Sequence, residues 1–146
     1  MIYILIIIVG LILDRVTKIY ATNNFIENPV QGPIINLTYL ENRGAAFGIL
    51  QDRRIFFILI TVAIVLYLLY YFYKSYKINP NILNIALAMI ISGALGNFYD
   101  RLINGYVVDF IEFSFINFPV FNIADIFVTL GCALMIIYII FIHDDK

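Results

Sequence analysis

Three aspartates in a very apolar chain are the side chains best suited to do chemistry: Asp100, Asp109 and Asp125. Two sit in short frames, Val107-Val108-Asp109-Phe110 and Asn122-Ile123-Ala124-Asp125. The second frame opens a long apolar run, which puts its carboxylate at or just inside a membrane surface. Ionisable groups at that depth are expensive and mark function. Two carboxylates near one interface, with polar amides beside them, suggest an aspartyl dyad. Such a pair shares a proton, so one member can activate water while the other protonates a carbonyl oxygen. Spacing alone leaves two other readings open. One is a proton or ion relay through Asp14, Asp100 and Asp125. The other is an assembly subunit whose polar residues only join helices.

Composition removes several other classes. Hydrophobic residues make up 63% of the 146 and charged ones 13%, against about 25% charged in soluble domains. With a net charge of -1, nothing favours a nucleic-acid partner. Cys132 lies in an apolar run and reads as a small packed residue without a disulfide partner. The only histidine, His143, sits in a charged tail. This argues against Ser-His and Cys-His catalysis, and neither HExxH nor CxxC spacing occurs, so no metal and no cofactor are expected.

The elements that must position the acids read as one domain over residues 1–146, an all-α polytopic membrane protein with four transmembrane helices. The spans fall at about 1–22, 55–73, 82–102 and 123–142, with outer segments at 23–54 and 103–122. In the first span Asp14 and Lys18 are four apart and share a helical face. They are either a local interfacial pair or a brace for a polar cavity. Ile34 to Leu40 suits a short strand. Glu41-Asn42-Arg43-Gly44-Ala45-Ala46-Phe47-Gly48 follows. It reads as a hairpin turn or as backbone able to approach a ligand, with Asn42 and Arg43 as donors. In the third span Asn97, Asp100 and Arg101 stand at i, i+3 and i+4 on one face. Arg101 is left free to pair with Asp14 or Asp100, or to bind lipid or peptide carbonyls. Ile103 to Phe121 is amphipathic and aromatic and reads as a loop resting on the membrane surface. Lys74, Lys77 and Lys146 on one side face Arg43, Arg53, Arg54 and Arg101 on the other. The positive-inside count therefore does not settle sidedness. A monomer is expected, since no uncovered polar seam demands a partner.

Five blocks in order resemble the bacterial lipoprotein signal peptidases, signal peptidase II. They are Asp14-Arg15-Val16-Thr17-Lys18, Asn42 through Gly48, Gly93 through Arg101, Val107-Val108-Asp109-Phe110 and Phe121-Asn122-Ile123-Ala124-Asp125. The resemblance implies an aspartic endopeptidase that cuts signal peptides from prolipoproteins ahead of a diacylglyceryl-modified cysteine. It assigns catalysis to Asp109 and Asp125. A supporting or substrate-binding shell would comprise Asp14, Lys18, Asn42, Arg43, Gly44, Phe47, Gly48, Asn97, Asp100, Arg101, Asn122 and Ala124. It also implies cytoplasmic termini, a site at the outer face of the cytoplasmic membrane in contact with lipid, and a small β-rich extracytoplasmic cradle.

Overall fold

Long apolar runs separated by turns become four helices in the computed structural model, which describes residues 1–44 and 50–142. They are α1 (Ile2–Asn24), α2 (Arg54–Ser75), α3 (Asn81–Ile103) and α4 (Ile123–Ile137), the last extended by a π turn over Tyr138–Ile142. The predicted positions Phe47, Gly48 and His143 lie outside the described residues. Three helical stretches, Arg54–Lys74, Asn81–Ile103 and Ile123–Phe141, are long and apolar enough to cross a membrane. α1 matches them in length but carries Asp14, Arg15 and Lys18.

α3 is the central helix, packed against α1, α2 and α4. Its small residues permit the close approach. A side chain at Gly93 would run into the carbonyl of Ala124, and one at Gly96 would come within 2.6 Å of Asp14 Oδ2. α2, by contrast, keeps most of its large apolar side chains exposed, among them Leu59, Leu66 and Tyr73. A helix apolar all round and uncovered by protein is one made to face lipid. The turn between α2 and α3 is pinned by Asn84, whose Nδ2 donates to Tyr76 O at 2.8 Å.

A two-stranded antiparallel sheet covers one end of this bundle. β1 (Ile35–Asn42) pairs with β2 (Val107–Phe113) in a register running from Ile35 opposite Phe113 to Asn42 opposite Val107, with an irregularity between Leu37 and Leu40. The expected strand is thus present, but its partner comes from the segment read as a surface loop. The reason lies in β2 itself. Val107, Val108, Asp109 and Phe110 are all buried, so this stretch lacks the apolar-polar alternation that signals a half-exposed strand. Val108 and Phe110 pack on Ala21 and Phe25 near the C-terminus of α1. Burial of each large apolar side chain contributes about 1.5–3 kcal/mol, and this contact seats the sheet on the helices. Beyond β2, Phe113, Phe118 and Phe121 form a ring cluster with centroids 5.3–6.0 Å apart. Cys132, expected to pack as a small residue, is exposed on α4.

Candidate active site

Strand geometry aims Asp109. Successive side chains on β2 alternate in direction, so the alternation that seats Val108 and Phe110 on α1 turns Val107 and Asp109 toward the other face. There both line a cavity of about 460 Å³. Helix capping aims Asp125. Asn122 is the N-cap of α4 and its Oδ1 accepts from Asp125 N at 3.0 Å. The Asp125 carboxylate reciprocates, taking the Asn122 backbone N–H on Oδ2 at 3.2 Å. This capping box satisfies two N–H groups at the helix start and leaves Asp125 on the wall of the same cavity.

Asparagine amides join the two acids. Asn122, fully buried, donates from Nδ2 to Asp109 Oδ1 at 2.6 Å and also lies 3.1 Å from Asn97 Oδ1. Asn97 donates to Asp125 Oδ1 at 2.7 Å. Asn42, at the end of β1, donates to Asp109 Oδ2 at 2.8 Å and accepts the Gly44 N–H. One amide, Asn122, therefore contacts both carboxylate-bearing residues.

Behind these amides lies a buried ionic cluster. Lys18 is wholly buried, with Nζ 2.9 Å from each of Asp14 Oδ2, Asp100 Oδ2 and Asn97 Oδ1. Asp14 also accepts the backbone N–H of the buried Ala124, tying α1 to the start of α4. Asp100 takes Arg15 at 2.7 Å and the Val108 N–H at 3.3 Å. The pairing of Asp14 with Lys18 is thus a brace beneath the cavity, not a free interfacial pair. Arg15, which spacing does not single out, is the second cation on Asp100.

Arg101 pairs with neither Asp14 nor Asp100. Its guanidinium donates to Gly44 O at 3.0 Å, lies over the Phe57 ring and lines the cavity. Arg43 turns away, bonded to Glu41 at 2.9 Å and stacked over Tyr106. Arg54, by sequence only a surface charge, holds the end of α3 by donating to the carbonyls of Arg101 and Leu102, each at 2.8 Å. Its one sequence signal is its place at the start of an apolar run.

The electrostatics separate the two acids. Asp109 is 1% exposed, whereas Asp125 is half-buried. Burial pushes the Asp109 carboxyl up to about 7, the Asp125 charge adds to the rise, and the N–H donors of Asn42 and Asn122 pull partly against it. A buried carboxyl that keeps its proton near neutrality, with a second acid open to the same cavity, is an arrangement from which acid-base chemistry can be built. Phe113, Phe118, Ile126 and Leu130 give the rest of the wall an apolar lining. Among the described residues no cluster of His, Cys, Asp and Glu could hold a metal ion.

Comparison with known proteins gives this geometry a family. The family model described as signal peptidase (SPase) II matches residues 6–141. The lipoprotein signal peptidase of Clostridium tetani is 48% identical over 143 residues, covering 94% of this chain and 91% of its own. That of Clostridioides difficile is 42% identical, with 100% and 99% covered. A bacterial membrane enzyme solved by the in meso method at 2.3 Å resolution superposes with a TM-score of 0.85 at 41% identity, over 94% of this chain and 86% of that one. A second, at 1.9 Å, gives 0.83 at 40% identity, over 96% and 93%. Matched along nearly its whole length by both sequence and fold, the chain belongs to the signal peptidase II family.

Proposed function

We propose that this chain is an aspartic endopeptidase that removes signal peptides from prolipoproteins, cutting N-terminal to a diacylglyceryl-modified cysteine. The observation that carries the reading is that Asp109 and Asp125, sixteen positions apart on different elements, open on one cavity and are joined through Asn122. Asp125, the more open of the two, takes a proton from a water held between them. Asp109 supplies its proton to the oxygen of the scissile carbonyl. The hydroxide so formed bonds to the carbonyl carbon. On collapse the proton gained by Asp125 passes to the leaving nitrogen, and ionised Asp109 takes back a proton from a hydroxyl of the intermediate. The C–N bond breaks to give a carboxylic acid and an amine.

The surroundings fit a substrate anchored in lipid. The apolar wall runs from Asp125 along α4 through Ile126 and Leu130, a path for acyl chains or the signal peptide's apolar segment. α1 serves as the fourth span, because Asp14 and Lys18 are turned into the protein and satisfied there. On this reading, which membership of the family supports, the site lies at the outer face of the cytoplasmic membrane, with both termini on the cytoplasmic side and the active unit a monomer. The relay reading fares worse: Asp14 and Asp100 are held in ion pairs at the same end of the bundle as Asp125.

The test is cleavage of a diacylglyceryl-modified preprolipoprotein by purified protein in detergent or nanodiscs. Asp109→Asn and Asp125→Asn should each reduce turnover by at least ~10²–10⁴-fold, the usual contribution of positioned acid-base groups. The same precursor without its lipid should not be cut, and chelator should have no effect. Wild-type cleavage by either Asn variant would overturn the proposal.

A further inference from the structure

We propose that Lys18 is a positioning residue for the dyad: its buried ammonium fixes which way the Asn97 amide faces, and through it the hydrogen bond received by Asp125. This rests on Asp109 and Asp125 being the reacting pair. A carboxamide is nearly symmetrical in shape, and its two ends exchange donor for acceptor on a flip. An ammonium offers only donors, so the end of Asn97 against Lys18 Nζ at 2.9 Å must be the oxygen. The other end is then the NH₂ group, which donates to Asp125 Oδ1 at 2.7 Å. Without the ammonium, the Asn97 oxygen keeps only the neutral Asn122 Nδ2 at 3.1 Å as its donor, and the flipped state becomes less costly. Flipped, it would present an oxygen to the carboxylate.

Lys18 can do nothing more direct. Its three N–H groups meet Asp14 Oδ2, Asp100 Oδ2 and Asn97 Oδ1, each at 2.9 Å, and it is 0% exposed. No donor remains for a substrate and no path leads to one. Asp14 belongs to its own helix; Asp100 and Asn97 come from α3; Arg15 completes the charge balance on Asp100. α4 contributes only the Ala124 N–H to Asp14. Near the reacting carboxylates the other cation is Arg101, which reaches Gly44 O. Lys18 also adds a positive charge that favours ionised Asp109.

Lys18→Met alone would leave Asp14 as a buried charge without its cation, so the informative variant is Asp14→Asn/Lys18→Met, compared with Asp14→Asn. The amide oxygen that this change leaves at position 14 can still accept the Ala124 N–H, and Asp100 keeps Arg15. Relative to the single variant, the double variant should lose about 10–100-fold in kcat, the range typical of outer-sphere partners. KM should stay within about twofold, because Lys18 does not reach substrate. The pH–rate profile should move to higher pH, because a positive charge near the dyad is gone. Profile position does not depend on how much enzyme is folded. An unmoved profile, with any rate loss matched by loss of folded protein in a melt, would overturn the assignment. Asp109→Asn in the same series keeps the questions apart, since cleavage surviving there defeats the dyad reading and not the role of Lys18.

Discussion

Replacing Asn122 by serine separates two jobs that one side chain performs. Serine ranks beside asparagine as an N-cap, so the Asp125 N–H, now 3.0 Å from Asn122 Oδ1, keeps an acceptor and α4 keeps its start. Serine is too short to replace the 2.6 Å donation to Asp109. A hydrogen bond between neutral groups is worth about 0.5–1.5 kcal/mol, or about 2- to 13-fold in rate if the reacting geometry depends on it. Cleavage per folded molecule should fall by that factor. Loss of an N–H donor also favours protonated Asp109, so the high-pH limb of activity should move to higher pH than in the wild type. Asn122→Ala should lose the cap as well, at a further cost of about 0.5–2 kcal/mol in stability. The assay is kcat/KM for lipidated precursor across pH, with thermal melts of both variants. Asn122→Ser cleaving within about twofold of wild type with an unmoved limb would refute the bridging role.

Two further outcomes follow from burial and close packing. The Asp109 carboxyl titrates at about 7 in the fold and at 3.8 when unperturbed. Below about 4 it is protonated in both states; above that the unfolded chain releases a proton that the fold retains. Stability should therefore fall as pH rises from about 4 to about 7, by something on the order of 4 kcal/mol from this group. Melting temperatures of Asp109→Asn should show a flatter pH slope, and an identical slope would contradict the buried, proton-retaining carboxyl. Gly96→Ala places a Cβ 2.6 Å from Asp14 Oδ2 and 3.3 Å from Ala124 Cβ. Asp14 cannot retreat without leaving Lys18 and the Ala124 N–H. Overpacking of about 1–3 kcal/mol should outweigh a helix-propensity gain of roughly 1, and an unchanged or raised melting temperature would count against it.

The helices were legible because long apolar runs and the Pro80 and Asn122 boundaries carry local signals; each begins within one residue of its run. The tertiary pairing was not. β1 and β2 lie far apart in sequence, and β2 is buried on both faces, so neither proximity nor periodicity marks it. The acids were visible as types, but their environments were not. Nothing in the spacing says that Asp100 would be taken by Arg15 and Lys18, leaving Arg101 for a backbone carbonyl. Asn122 was visible only as a member of the supporting shell; its cap on Asp125 and its reach to Asp109 both emerge from the fold.

Three aspartates on neighbouring elements end in different surroundings, and the proposed division of roles follows from what holds them. Asp100 has each oxygen within ion-pair distance of a cation, Arg15 on one and Lys18 on the other. A carboxylate so committed is a structural tie, and it locks α1, α3 and β2 together through Arg15, Lys18 and the Val108 N–H. Asp109 and Asp125 are held by side-chain amides and backbone N–H groups instead. Neutral donors fix direction at close range, while the charge of Lys18 acts on Asp109 only from behind them and is outweighed by burial. The nearest buried cation, Lys18, stands one amide away from Asp125. On the proposed reading, the asparagines hold the two acids in place with neutral donors, while Lys18 stays behind them and Arg101, on the cavity wall, is among the described residues the one cation that shares their space.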